Sequence, residues 1–122
     1  MFSFLIALAA AVAHPNCKDP QTEIDMNTCA TRPFNAADAR MTRQYRLLAA
    51  RMKQMDAEEP GYLAALLESQ RAWLKYRETQ CRFEGYTTRG GTAESLNADA
   101  CRKDLTDKRT ADLKSLLEAF GR

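Results

Sequence analysis

The shortage of strand-forming residues is the feature that most constrains the fold of this chain. After residue 13 there is no valine and a single isoleucine, Ile24, whereas alanine, leucine, methionine, arginine, lysine, glutamine and glutamate are abundant. Valine and isoleucine favour strands, and the abundant residues have high helix propensities. The composition therefore predicts an all-α fold, a small antiparallel bundle of three to four helices.

The first 13 residues form an uncharged, mostly apolar segment. It is too short to span a bilayer, which takes about 20 residues. It ends in Ala11-Val12-Ala13, the small-x-small pattern that signal peptidase accepts. We expect residues 1–13 to be a cleavable signal peptide rather than a buried N-terminal helix. Residues 14–122 then form one exported domain, periplasmic or secreted, with no membrane insertion after cleavage.

Positive and negative charges are nearly balanced. The chain has 18 Lys and Arg and 16 Asp and Glu, so its formal net charge is +2. Proteins that bind nucleic acid usually carry a clustered basic surface, and proteins that bind anionic membranes carry polybasic segments. The balance therefore argues against a nucleic-acid partner and against a membrane-surface partner.

Four cysteines follow the predicted signal peptide: Cys17, Cys29, Cys81 and Cys101. An even number of cysteines in an exported chain predicts disulfides. Four cysteines allow three pairings, and we favour Cys17–Cys29 with Cys81–Cys101 because each of these pairs encloses one local turn. There is no C-x2-C pair, and the one histidine, His14, lies at the predicted cleavage site, so we expect neither a zinc site nor a thiol-exchange site.

Two helices are predicted in the first half of the domain. Residues 22–25 resemble a capping box and should open a short helix that ends near Ala30, before Pro33. Ile24 and Cys29 should face inward. Asn35 should cap a second helix that ends in the acidic turn 56–61. One apolar stripe follows this second helix at helical spacing: Met41, Tyr45, Leu48, Met52 and Met55.

Two more helices are predicted in the second half. The third should run over residues 62–83, and the fourth should begin at a Thr92 cap and end at Gly121. The apolar face of the third helix carries two polar residues, Gln70 and Arg77, which breaks the hydrophobic pattern.

Gln70, Trp73 and Arg77 share one face of the third helix because they are three and four residues apart. They have two interpretations. In the favoured one, Trp73 is the central core residue, and Gln70 and Arg77 tie helices together. Arg77 is then bonded to carbonyl groups or to an acidic partner, because an unpaired buried charge is costly. In the other, Arg77 recognises a carboxylate or sugar and Trp73 stacks on it. The acidic partners considered for Arg77 are Glu23, Asp25 and Asp38.

A family resemblance rests on the string Q-R-x-W-x-x-Y-R-x-x-x-C, which runs from Gln70 through Tyr76 and Arg77 to Cys81. The run from Met26 to Ala30 and the Gly90-Gly91-Thr92 break before Cys101 lie around it in the expected order. Together these motifs resemble the family named for the lysozyme inhibitor LprI. The resemblance implies a secreted or periplasmic helical domain with the disulfide pairs favoured above. It also implies inhibition of lysozyme by at least one member, and it carries over no catalytic residue.

Catalysis is not expected. His14, at the predicted cleavage site, is the sole histidine, so no Ser–His or Cys–His pair is available to a structured site. The sequence contains no HExxH, P-loop or GxGxxG motif. We therefore predict a protein that is not an enzyme and has no cofactor and no bound metal.

The remaining hypotheses are binding functions. The first is a lysozyme inhibitor that acts through the acidic turn or through a basic side chain aimed at the lysozyme groove. The alternative is an envelope structural or protein-interaction module that does not inhibit lysozyme. The candidate binding residues are Asp56, Glu58, Glu59 and Lys75.

Overall fold

The computed structural model describes residues 16–121. Three α-helices make up the fold: α1 (Glu23–Asp56), α2 (Tyr62–Gly85) and α3 (Thr92–Phe120), with a 3-10 turn at Tyr86–Thr88. No strand occurs in this part of the chain. The predicted all-α bundle is confirmed, with three helices. The predicted signal peptide, residues 1–13, lies outside the described residues.

The helices form an up-down-up arrangement. Arg40 and Arg51 of α1 reach Asp107 and Phe120 of α3, so positions rise together along these two helices, which are parallel. Consecutive helices are antiparallel because short connections join them. No helix within residues 16–121 is long and apolar enough to cross a membrane.

The prediction of two separate helices before residue 57 was wrong. Pro33 lies inside α1, which continues through it for 34 residues. A proline removes the hydrogen bond to the carbonyl four residues earlier, here that of Cys29. Pro33 is exposed, so water can reach that carbonyl, and packing of the following residues, beginning with buried Ala37, holds the helix together. Asn35 is therefore an interior helix residue and not a cap.

The start of α1 is capped as predicted but packs differently. The hydroxyl of Thr22 accepts a hydrogen bond from the Asp25 amide at 3.0 Å. Ile24 was expected to face inward, and it is 77% exposed, while Cys29 is half-buried. The first turns of α1 extend beyond the part of the bundle where three helices meet, so residues 16–121 leave Ile24 largely uncovered.

One end of α3, the C-terminal one, matches the prediction. Gly121 ends the helix in a left-handed conformation, with φ of 76°. At the other terminus, Gly91 is the N-cap and Thr92 is the first helical residue, so the predicted Thr92 cap was wrong. The carboxylate of Glu94 accepts a hydrogen bond from the Gly90 amide at 3.0 Å, so this amide has a partner without a threonine hydroxyl.

The core is aliphatic and lies toward the α1–α2 connection. Leu48 and Leu113 are its most enclosed side chains, at 1% and 0% exposed. Burial of one leucine contributes about 1.5–3 kcal/mol. Trp73 was expected at the centre, but it is only partly buried and packs against the cluster from the side. The buried members of the cluster are Met41, Leu48, Met52, Leu66, Leu113 and Leu117.

Both predicted disulfides are present. Cys81–Cys101 joins α2 to α3, and Cys17–Cys29 ties the segment before α1 back onto that helix. Close to the Cys81–Cys101 bond, buried Gly85 allows α2 and α3 to touch. A side chain at this position would crowd α3, because its Cβ would lie 3.1 Å from the Glu94 carbonyl oxygen. The Cys81–Cys101 bond therefore links α2 and α3 close to a point where they touch.

The two bonds should differ in their effect on global stability. Replacing Cys81 and Cys101 together by alanine removes a buried cross-link between two helices, and we expect a loss of about 3 kcal/mol in unfolding free energy. Replacing Cys17 and Cys29 should cost less, because the segment that they hold is exposed. Urea unfolding of both variants measures the difference. Equal losses would contradict the view that the first turns of α1 add little to the core.

Candidate functional site

Arg77 connects all three helices from a buried position. Its side chain is 9% exposed, and Nη1 donates to Asp38 Oδ1 of α1 at 2.9 Å. The same nitrogen donates to the hydroxyl of Thr106 on α3, which is fully buried, at 3.2 Å. Of the three acidic partners considered for Arg77, Asp38 is the one that it reaches. The guanidinium is therefore held inside the bundle and is not presented to a ligand.

Two guanidinium groups lie over the Trp73 ring. The Cζ atom of Arg77 is 5.4 Å from the Trp73 ring centroid, and that of Arg109 is 5.8 Å away. Arg77 also lies 4.9 Å from the centroid of the Phe34 ring. Aromatic faces attract such cations, more strongly where water is excluded. The tryptophan is thus occupied by contacts within the bundle.

Gln70 joins α2 to α3 through a residue that the sequence motif did not contain. Its Oε1 accepts a hydrogen bond from Arg109 Nε at 2.9 Å, and Arg109 also donates to Ser69 Oγ at 3.3 Å. On the other side, Gln70 Nε2 lies 3.6 Å from the sulfur of Met41. Burial lowers the pKa of the Arg109 guanidinium and Asp112 raises it. An arginine remains protonated in proteins, so this link is a charged hydrogen bond.

Glu78 extends the network along the bundle surface. It accepts from Arg77 Nε and from Arg102 Nε, both at 3.0 Å, and Arg102 donates onward to Asp99 at 2.9 Å. Partial burial of Glu78 tends to raise the pKa of its carboxyl, but the hydrogen bonds and charges of Arg102 and Arg77 outweigh burial and lower that pKa. Arg102 and Asp99 were missed by sequence reasoning, because single charged residues on a helix carry no signal of their partners.

The carboxylates of the acidic turn have two different environments. Asp56 is half-buried and accepts hydrogen bonds from the amides of Gly61, Tyr62 and Leu63 at 3.1, 2.7 and 3.3 Å. It therefore caps α2, whose formal N-cap, Gly61, has no side chain. Glu58 and Glu59 are exposed.

Lys75 and Tyr76 lie on the opposite side of α2 from the buried network. Lys75 is exposed, and Tyr76 is 51% exposed. Lys75 is 13 residues beyond the first residue of α2, which places it about 20 Å along the helix from the acidic turn. The predicted binding residues thus belong to two separate surfaces, and Tyr76 is separated from the rest of its motif.

One group of potential metal ligands lies at the disulfide. The sulfurs of Cys81 and Cys101 and a carboxylate oxygen of Glu84 are within 4.8 Å of one another. The sulfurs are bonded to each other, however, and a metal requires thiolates. This cluster is a cross-link with an adjacent carboxylate.

Comparison with known proteins places this fold in a family. The family model described as lysozyme inhibitor LprI matches residues 16–113. The chain belongs to the LprI family. An uncharacterised protein of Rhizobium meliloti (strain 1021) is 40% identical over 112 residues, which cover 86% of this chain and 81% of that protein. The resemblance found in the sequence motifs is confirmed.

A solved structure shares the LprI-family fold. The crystal structure of a DUF1311 family protein from Pseudomonas putida KT2440 matches with a TM-score of 0.67 at 22% identity. The match covers 83% of this chain and 96% of that one. At this identity the likeness concerns the fold, and it shows that the helical arrangement extends over nearly the whole of the other chain.

Replacing Arg77 by alanine should destabilise the protein strongly. The change leaves Thr106 buried without its donor and removes the partner of Asp38, so we expect a loss of about 3 kcal/mol or more. Thermal unfolding followed by circular dichroism measures it, with Arg71→Ala on an exposed site of the same helix as the control. An unchanged melting temperature for Arg77→Ala would contradict the structural role and favour the recognition role.

The Glu78 carboxylate should make stability depend on pH. Because its pKa is lowered in the folded state, its stabilising effect is present above the ordinary value of 4.5 and is lost as the pH falls through the lowered value. Glu78→Gln should cost about 0.5–1 kcal/mol at pH 7, since the Glu78 side chain is 42% exposed and its charge is screened by water. It should also reduce the loss of stability between about pH 5 and pH 3.

Urea unfolding at several pH values tests the Glu78 prediction. Some acid dependence should remain in the variant, because a hydrogen bond from Lys103 lowers the pKa of Asp107 as well. Parallel stability curves for the two proteins would show that Glu78 contributes nothing to the pH dependence.

Proposed function

We propose that this protein is exported and that it binds and inhibits lysozyme. The observation that carries the proposal is the match of the lysozyme inhibitor LprI family model across residues 16–113. Two disulfides support export, because such bonds persist in oxidising compartments. Residues 1–13 are then the signal peptide and residues 14–122 the mature domain, either periplasmic or secreted.

The acidic turn is the surface that we assign to lysozyme. Lysozymes of the animal type are strongly basic, and complementary charge speeds association and selects the partner. Glu58 and Glu59 are exposed and have no ion pair within residues 16–121. With a net charge of +2 the whole chain does not attract a basic protein over long distances. The attraction has to be local to this end of the bundle.

Rigidity favours binding by this turn. Asp56 fixes the start of α2 through three backbone amides. A loop that is already ordered loses little conformational entropy when a partner binds. The two glutamates are therefore presented on a fixed backbone, which suits recognition better than a mobile acidic loop would.

The alternative is an envelope interaction module that does not inhibit lysozyme. Its support is the exposed aromatic surface of α2, where Tyr76 and Phe83 are 51% and 69% exposed. Aromatic residues at a surface are typical of protein–protein contacts. In this alternative Tyr76 and Lys75 contact the partner, and the acidic turn serves only to connect two helices.

The inhibition hypothesis predicts an effect on cell-wall lysis. An excess of the disulfide-intact domain, residues 14–122, should slow the clearing of a cell-wall suspension by an animal-type lysozyme. The double variant Glu58→Lys with Glu59→Lys should weaken inhibition by tenfold or more, because it reverses the charge that faces the basic enzyme, at about 1.4 kcal/mol per tenfold change.

A control with the same change in net charge isolates the turn. Asp19 and Asp104 are exposed and lie away from residues 56–61. Their joint replacement by lysine should leave inhibition intact. Equal weakening by both double variants would point to net charge rather than to the turn. Undiminished lysis at a large excess of the wild-type domain, with several lysozymes, would refute inhibition and leave the interaction module.

A further inference from the structure

A second regular stripe runs along α2 and into the first residue of the 3-10 turn, on the side away from the core. Its members are separated alternately by four and three residues, which keeps them on one helix face. All of them are exposed. The face lies opposite buried Gln70, Arg77 and Cys81, and Ser69 lies at its edge, where its hydroxyl accepts a hydrogen bond from Arg109 of α3. We call this set the outer stripe: Ala65, Ser69, Ala72, Tyr76, Thr79, Phe83 and Tyr86.

The outer stripe lacks charge where charge is expected. Charged residues make up 28% of the chain, so about two would be usual among seven exposed positions, and there are none. Helices that face water normally carry charged side chains on the exposed face. Instead, Tyr76, Phe83 and Tyr86 expose 51%, 69% and 54% of their surface. The stripe has the pattern of a helix that packs on both sides.

Size varies along the stripe in a self-complementary way. The end nearest the acidic turn carries small residues, and the end nearest the disulfide carries aromatic ones. If two copies of α2 lie antiparallel, Ala65 faces Tyr86 of the second copy and Ser69 faces Phe83. Tyr76 then lies near the two-fold axis. Large side chains of each copy meet small ones of the other, which is how knobs fill holes.

The charges beside the stripe select the same arrangement. Glu68 and Arg82 lie on one flank, 14 residues apart, with Lys75 midway between them. Antiparallel pairing places Glu68 of each copy beside Arg82 of the other, which gives two opposite-charge pairs, and it brings the two Lys75 side chains near each other at the two-fold axis. Parallel pairing would place this flank of the two copies on opposite sides of the interface, so Glu68 and Arg82 would not meet. Neither Glu68 nor Arg82 has an ion pair among the described residues, so both are available.

We propose that the outer stripe of α2 binds a second copy of this chain in an antiparallel, two-fold symmetric dimer. Such an interface uses the same patch on both copies. The six exposed aromatic side chains would bury roughly 600 Å² together, given about 150–250 Å² for each whole side chain. The small residues bring the total toward the approximately 1,000 Å² that a specific interface needs. A concentration-dependent equilibrium between monomer and dimer follows from this modest area.

The dimer and lysozyme binding use different surfaces. Pairing through the outer stripe covers Lys75 and Tyr76, and it leaves Glu58 and Glu59 exposed at the two ends of the assembly. The proposal therefore does not depend on inhibition of lysozyme.

Sedimentation equilibrium of the disulfide-intact domain, from micromolar to millimolar concentration, tests the dimer. Glu68→Arg alone and Arg82→Glu alone each turn two attractive pairs into repulsive ones, so each should raise the dimer dissociation constant about tenfold. The double variant Glu68→Arg with Arg82→Glu recreates the pairs in reverse and should restore dimerisation. Single changes without effect, or no recovery in the double variant, would overturn the antiparallel arrangement.

A steric variant tests the stripe itself. Ala72→Arg places a long charged side chain in the seam and should abolish the dimer, while Ala111→Arg, at an exposed site on α3, should not. Circular dichroism confirms that both variants fold. A wild-type domain that stays monomeric throughout, or an Ala72→Arg dimer of unchanged affinity, would refute the proposal. If the wild-type domain is monomeric and Ala72→Arg abolishes its inhibition of lysozyme, the stripe is a lysozyme-binding surface and the dimer is overturned.

Discussion

The structure depends on a buried positive charge. Arg77 has a long side chain inside a small bundle, and its guanidinium is tolerable there only because Asp38, Thr106 and Glu78 accept its hydrogen bonds. These partners come from all three helices. The arginine therefore fixes how the helices are rotated and shifted against one another, which an aliphatic core of interchangeable leucine and methionine side chains does less specifically.

The bundle is organised differently at its two ends. Toward the α1–α2 connection, leucine and methionine pack in the usual way around Leu48 and Leu113. Toward the other end the apolar core is smaller. There the Cys81–Cys101 bond and the close contact at Gly85 hold α2 against α3. The Arg77 network lies between these regions. A domain of this size gains much from such a cross-link because its hydrophobic core is limited.

Because the core, the Arg77 network and the disulfide hold the bundle together from inside, its surface is free for binding. The polar side chains of the motif, Gln70 and Arg77, bond within the bundle, so the residues that meet a partner have to lie elsewhere. Two surfaces stand out: the rigid acidic turn, with Glu58 and Glu59, and the uncharged outer face of α2, with Tyr76 and Phe83. They lie on different parts of the bundle, so the assignment of lysozyme to the turn and of a second copy to α2 requires no competition between them.

Helix content, both disulfide pairs and membership of the LprI family followed from the sequence alone, because propensity, cysteine spacing and a long motif are local properties. The sequence also placed Gln70 and Arg77 on the apolar side of α2. Only the tertiary structure decided the rest. In that structure α1 continues through Pro33, Ile24 is exposed, and Trp73 lies away from the centre of the core. Arg77 pairs with Asp38 and not with Glu23 or Asp25. Arg109, Arg102 and Asp99 bond to the residues of the motif or to their partners. Each of these outcomes depends on which side chains distant helices bring together, and no local pattern encodes the register of one helix against another.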